Sequence, residues 1–181
     1  MLMNTIETDR LYFREIVESD DYSILELDSD PCVHQYLGNR PIEDINQARK
    51  LIQFIRQQYL DNGIGRLAII EKETNTFVGW GGFKLITDSV NNHKNYHDLG
   101  YRFIRQYWGK GYATESSNAA IEFAFNKLGV DVIYAITDVN NIQSKKVLQK
   151  CGFTCREVFE YQTLPHYWFE LQNKNKSYND M

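Results

Sequence analysis

The segment QYWGKGYATE, Gln106 to Glu115, sets Gly109 and Gly111 one residue apart, just ahead of an amphipathic, helix-forming stretch. Glycine there costs backbone entropy and contributes nothing to a core. What it offers is anion binding. Backbone N–H groups of the turn and of the first helical turn point at a phosphate, and no Cβ blocks its approach. The helix macrodipole adds about 0.3–1 kcal/mol per interaction. Lys110 and Arg105 are placed to add positive charge. The competing reading is a strand-to-helix turn whose glycines serve geometry alone.

The kind of anion is narrowed by what the segment lacks. Lys110 lies between the glycines, so the Walker pattern is absent. A dinucleotide fingerprint needs a third small residue where Thr114 stands and an acid closing the next strand, for which Asp138 is the candidate. It also needs parallel βαβ repeats from the start of the chain. Here antiparallel strands come first.

The elements that must carry this turn can be read from periodicity. RLYFREI (10–16) alternates as a half-buried strand, and the acidic stretch after it reads as a helix with Ser19 as N-cap. Ile45, Ala48, Leu51, Ile52, Ile55 and Tyr59 share a helical face that Pro41 is suited to begin and DNGIG to end. Residues 66–86 read as two strands around a turn near Thr74 and Asn75. On the strand 96–104, Leu99, Tyr101 and Phe103 share one face, and Asp98, Gly100, Arg102 and Ile104 the other.

A helix over 112–128 follows, with Ala113, Ser117, Ala120, Ile121, Ala124 and Leu128 as its packing stripe and Gly129 as its stop. VDVIYAITDV (130–139) reads as a strand covered on both faces. A short helix over 142–150 and strands in TCREVFEY and HYWFELQ complete the chain. The expectation is an α+β fold with a mixed, mostly antiparallel sheet and one central βαβ unit. It forms a single domain over 1–173, with a polar, frayed tail over 174–181.

Composition agrees and excludes other classes. The 181 residues are 43% hydrophobic and 24% charged, with three prolines and no linker-like stretch. A net charge of −4 argues against nucleic-acid phosphates as the partner. No run reaches the roughly 18 apolar residues of a membrane span. The start shows no export signal and the three cysteines are odd in number, so a cytoplasmic protein without disulfides is expected. Cys151 and Cys155 match no zinc spacing with His34 or His166; buried apolar cysteines and no metal are expected.

DLGYRFIRQYWGKGYATE resembles motif A of the GNAT superfamily of N-acetyltransferases. Gln106, Gly109 and Gly111 meet its Q/R-x-x-G-x-G/A pattern. NIQSKKVLQKCGF resembles the motif that follows, through Asn141, Ser144, Lys150, Gly152 and Phe153, with Asn141 thirty residues past Gly111. Ser144 and the GKGYATE run are most similar to the branch holding ribosomal-protein N-terminal and spermidine acetyltransferases. The resemblance implies a GNAT-like acyl-CoA N-acyltransferase fold and an enzyme that uses acetyl-CoA and an amine acceptor, with no nucleic acid or membrane, as monomer or homodimer.

It also implies residue roles. Gln106, Gly109, Lys110, Gly111, Tyr112 and Ala113 would hold the coenzyme A pyrophosphate. The main chain of Phe103, Ile104 and Arg105 would hold the pantetheine arm, with N–H groups near Phe103 and Ile104 as oxyanion donors. Asn141 would reach the coenzyme from the other strand or cap its own helix. Asp98 is the candidate base, with an ion pair to Arg102 as its alternative role, and Glu160 is the second candidate. Many relatives place an acidic tyrosine seven residues after the motif asparagine; here that residue is Leu148, and Ser144 supplies a hydroxyl instead. Tyr134 reads as core.

The acceptor cleft would be lined by the first helices, residues 87–95 and the final strands with Tyr161, Tyr167 and Trp168. Glu18, Asp20, Asp21, Glu26, Asp28 and Asp30 form either a lure for a cationic amine or a solvated helix face. The same fold without the acid can also serve as an acetyl-CoA sensor or interaction module.

Overall fold

The computed structural model describes residues 6–174. Seven strands form one sheet in the order β1-β2-β3-β4-β5-β7-β6. They are β1 (Leu11–Glu15), β2 (Leu67–Glu71), β3 (Thr76–Ile86), β4 (Tyr96–Phe103), β5 (Val132–Asp138), β6 (Thr154–Tyr161) and β7 (Leu164–Gln172). Every neighbouring pair is antiparallel except β4 and β5, which are parallel and joined through helix α4 (Tyr112–Asn126). The mixed sheet with one central βαβ unit is as the sequence predicts.

Helices α1 (Asp21–Ser29), α2 (Pro31–His34) and α3 (Ile45–Asn62) precede β2, and α5 (Ile142–Lys150) follows β5. Two of their starts differ from expectation. Ser19 sits inside a 3-10 turn, Glu18–Asp20, where Asp20 accepts the Val17 N–H at 2.9 Å and grips Arg14; α1 begins only after it. Pro41 lies ahead of α3, which is capped by Asp44 through the N–H groups of Asn46 and Gln47 at 2.7 and 3.0 Å. A carboxylate that accepts two orphan donors fixes a helix start more firmly than a proline that only favours the φ angle.

The sheet is clothed differently on its two faces. On one face, Ala120 and Ala124 of α4 and Leu148 of α5 pack without exposed surface or nearly so against Phe83, Leu99, Ile133, Ala135 and Phe169. The small α4 residues let the helix lie close to the strands. Ser116 joins the buried stripe, while Leu128 lies beyond the helix end and is exposed. On the other face, α1 and α3 cover only the β1–β4 half, over Ala68, Ile70 and Ile104. β5 is therefore not sheathed on both sides as its composition suggests. Ile133 and Ala135 are buried, but Tyr134 and Ile136 are only half-buried on the helix-free side.

On that side Trp168 of β7 is buried by rings rather than by a helix: His93 stacks on it at 4.8 Å, and Tyr96, Tyr134 and Phe159 close around it. Asn173 is buried, with its N–H on Asp131 O at 2.8 Å and its amide on Val130 O at 3.2 Å. Beyond Lys174 the tail lies outside the described residues.

Candidate active site

β4 and β5 pair at His97↔Ile133 and Asp98↔Tyr134 and then part. From Leu99 to Phe103 the edge of β4 that faces β5 has no ladder partner, although β5 is fully paired with β7 on its other side. The opening widens toward the glycine turn.

The turn leaves β4 through a short 3-10 segment, Arg105–Tyr107. Gly109 and Gly111 then adopt φ of 76° and 83°, the left-handed region that L side chains rarely enter. Gly111 is the N-cap of α4 and brings no side chain to cap it. The first intrahelical bond that reaches back to it is the Glu115 N–H on Gly111 O at 3.1 Å, so the amides of Tyr112, Ala113 and Thr114 open the helix as orphan donors. These donors and the positive end of a 15-residue helix suit a phosphate.

Arg10, from just before β1, fixes the turn from below. Its guanidinium donates to Lys110 O at 3.0 Å, pairs with Glu115 through Nε at 2.7 Å, and lies over the Tyr112 ring at 4.6 Å. Lys110 stands over the Tyr107 ring at 4.8 Å. Arg105 does not join this group: it pairs with Asp30 at 3.4 Å and reaches Cys32 Sγ at 3.3 Å.

The main-chain donors differ in one respect from the sequence reading. The Ile104 N–H donates to Val78 O at 3.0 Å, and its carbonyl accepts from Tyr107 at 2.9 Å. The Ile104 N–H is therefore committed to β3 and is not free for an oxyanion. The alternation of an antiparallel ladder turns the polar groups of Tyr101 and Phe103 toward the opening instead. The Phe103 carbonyl there accepts the Trp108 indole N–H at 2.7 Å.

Across the opening, Asn141 caps α5 by accepting the Ser144 N–H at 3.0 Å. Ser144 lies one turn in, and its Oγ is 3.1 Å from the Tyr101 hydroxyl. Tyr101 also reaches the Ser144 carbonyl at 3.3 Å. Burial drives the Tyr101 phenol well above its ordinary range, with the Ser144 bond opposing, so it stays protonated. Sequence periodicity sets Tyr101 on one face with Leu99 and Phe103 and gives it no further role. Leu148 is fully buried in the core and offers no substitute.

The sheet face opposite α4 and α5 is the one on which the acceptor cleft is expected. Asp98 is buried there and pairs with Arg66, not Arg102: Arg66 Nη2 is 2.6 Å from Asp98 Oδ2, and Nη1 donates to the carbonyls of Asp98 (2.6 Å) and Gly82. Gly100 makes this possible, because a Cβ there would stand 2.5 Å from Arg66 Nη2. Arg102 instead pairs with the buried Asp28, beside His34.

Period-two alternation through the β5–β7–β6 register puts Glu160 on the opposite face, with Val158 and Tyr167. Glu160 and Asp98 cannot exchange roles in one cleft, and Tyr167 does not line it. Tyr161 does: burial first, and then the charge of Asp98, raise the pKa of both Tyr96 and Tyr161.

Of the six acidic residues near α1, four are held in ion pairs. Arg14 holds Asp20 at 2.7 Å, Arg49 holds Asp21 at 2.8 Å, Arg102 holds Asp28, and Arg105 holds Asp30. Glu18 and Glu26, the other two, are exposed and take part in no such pair among the described residues. Cys32 and Cys155 are exposed and Cys151 is buried, so only one of the three thiols is a core residue. Among the described residues no group of three His, Cys, Asp or Glu side chains could hold a metal ion, and no helix is long and apolar enough to cross a membrane.

Residues 10–154 match the family model described as an acetyltransferase (GNAT) domain. An uncharacterised N-acetyltransferase, p20, from Bacillus licheniformis is 34% identical over 151 residues, 83% of each chain. The ribosomal-protein-S5-alanine acetyltransferase of Vibrio fischeri superposes with a TM-score of 0.75 at 17% identity, covering 95% of this chain and 98% of that one. The spermidine N-acetyltransferase of Vibrio cholerae, solved with CoA and spermine, gives 0.73 at 17% identity, covering 92% and 97%.

Proposed function

This chain belongs to the GNAT acetyltransferases, and on that premise we propose that it moves the acetyl group of acetyl-CoA to a primary amine by direct attack in a ternary complex. The acceptor is a protein N-terminus, a polyamine or another small amine. The observation that carries the reading is the parting of β4 from β5 beside an uncapped helix that begins on two left-handed glycines. That is a slot for an extended chain ending in phosphates.

The residues present fit the coenzyme. The amides of Tyr112 and Ala113, freed by Gly109 and Gly111 and flanked by Lys110 and Gln106, would take the pyrophosphate. The open edge of β4 at Tyr101 and Phe103 would pair with the pantetheine amides as a neighbouring strand does. Acetyl-CoA supplies an activated carbonyl and a thiolate leaving group. The chain must then keep the amine neutral, hold the oxyanion and donate to the departing sulfur.

Asp98 is the group for the first task. Arg66 engages its Oδ2, and the other oxygen accepts the proton directly or through water. The Phe103 N–H serves the oxyanion. Ser144 donates to the sulfur, with Tyr101 behind it. Turnover of acetyl-CoA with a panel of N-terminal peptides, polyamines and amino acids, followed by release of free thiol, tests the reading. Tight acetyl-CoA binding with no acetylated product from any amine would replace it with a non-catalytic sensor.

A further inference from the structure

The sheet face that carries Asp98 holds one further charge with no ion-pair partner of its own among the described residues. Lys84 of β3 lies directly across from Asp98 and on the same face, between the Gly82↔Gly100 and Ile86↔Tyr96 pairs. It is half-buried, and among the described residues it makes no hydrogen bond or ion pair. Burial lowers its pKa, with Asp98 opposing and Arg66 adding to the lowering. Asp98 cannot neutralise it, because that carboxylate is committed to Arg66 through Oδ2. Lys84, Arg66 and Asp98 together carry one surplus positive charge.

The surroundings supply no anion either. The carboxylates on the α1 side of the cleft, Asp28 and Asp30, are held by Arg102 and Arg105. The nearby phenols of Tyr96 and Tyr161 are kept neutral by burial. A partly desolvated ammonium without a partner is costly to keep. Here it stands next to the carboxylate that receives the acceptor's amine.

We propose that Lys84 anchors an anionic group on the acceptor, so that the acceptor is a small amine that also carries a carboxylate, as an α-amino acid does. The inference rests on the acetyl-transfer reading above and narrows it. The geometry suits one molecule bridging two cross-strand neighbours. In an α-amino acid the amine and the carboxylate are separated by one carbon, and directly opposed residues have Cβ atoms roughly 4.5–5.5 Å apart. The amine then meets Asp98 while the carboxylate meets Lys84. A polycation would instead bring like charge to Lys84, and the carboxylates Asp28 and Asp30 are already paired.

The test compares α-amino acids with their own carboxamides and decarboxylated amines, in wild type and in Lys84→Met and Lys84→Arg. Wild type should prefer the acids by tenfold or more in kcat/KM. Lys84→Met should erase the preference by raising KM for the acids, with KM for acetyl-CoA unchanged, and Lys84→Arg should restore it. Calorimetry of the same ligands with coenzyme A present gives a second reading that needs no turnover. Carboxylate-dependent binding without acetylation would uphold the anchor and refute acetyl transfer to these amines. Equal use or binding of acids and amides by wild type, or a preference that survives Lys84→Met, would overturn the anchor while leaving acetyl transfer standing.

Discussion

Arg66→Met isolates the buried ion pair beneath the acceptor cleft. Arg66 and Asp98 have side chains only 9% exposed each, and the guanidinium also serves the carbonyls of Gly82 and Asp98. Removing one member leaves the other buried and charged, which costs about 3–5 kcal/mol. Methionine keeps most of the arginine stem's volume, so packing loss adds little. For a chain of this length each kcal/mol lowers Tm by roughly 2–4 °C, which gives a fall of roughly 6–20 °C. Urea unfolding followed by far-UV circular dichroism measures it, with Asp98→Asn and the double variant completing a cycle. The double variant should be more stable than the sum of the singles implies, by about 1 kcal/mol or more, because neither charge is left stranded. A loss below about 1 kcal/mol for Arg66→Met, or strict additivity, would refute a coupled buried pair and leave Asp98 unexplained at this place.

Gly111→Val forces a β-branched residue into φ near 83°; acetyl-CoA binding by calorimetry should vanish while the circular-dichroism spectrum stays native. Ser144→Ala should lower kcat about tenfold or more, as losing a transition-state hydrogen bond of ~1.5 kcal/mol requires, with coenzyme affinity unchanged. Tyr101→Phe should lower kcat as well, and the double variant should be no slower than the slower single, since the two hydroxyls act as one unit; unchanged rates in steady state with chemistry limiting would show that the thiolate leaves unaided. Cys151, buried and with its thiol pushed up to about 11 by that burial, should resist iodoacetamide at pH 8 while Cys32 and Cys155 react; mass spectrometry of labelled peptides before and after unfolding reads the difference.

Much of this was visible in one dimension because the relevant signals are local. Gly109 and Gly111 announce themselves through a backbone need that no other residue type meets as well, Asn141 through its fitness as a helix cap, and α5 runs from Ile142 to Lys150 as its periodicity predicts. Partners are a different matter. Asp98 finds Arg66, which enters from the start of β2 over a glycine, while the nearer candidate Arg102 is drawn to Asp28 on α1. Neither choice leaves a trace in spacing. The face that Glu160 takes is hidden for a related reason: β6 slips register between Cys155 and Glu157, so its alternation cannot be assigned to a face without its neighbour β7. The six α1 acids look like a field when read as a string, but Asp20, Asp21, Asp28 and Asp30 become ion-pair partners once Arg14, Arg49, Arg102 and Arg105 arrive from elsewhere.

The narrow junction of β4 and β5 has a thermodynamic meaning as well as a catalytic one. A sheet whose halves meet at His97↔Ile133 and Asp98↔Tyr134 is weakest along that line. The block of β5, β7 and β6 should therefore open as its own cooperative unit, at lower free energy than β1 to β4 under their helices. A ligand seated along the seam binds the joined state alone, so its binding energy adds directly to the cohesion of the two blocks. Amide exchange in β5 and β7 should then slow with ligand concentration while β2 and β3 barely respond. The fold borrows its missing strand from its substrate, and its resistance to heat and proteases becomes a readout of how much coenzyme surrounds it.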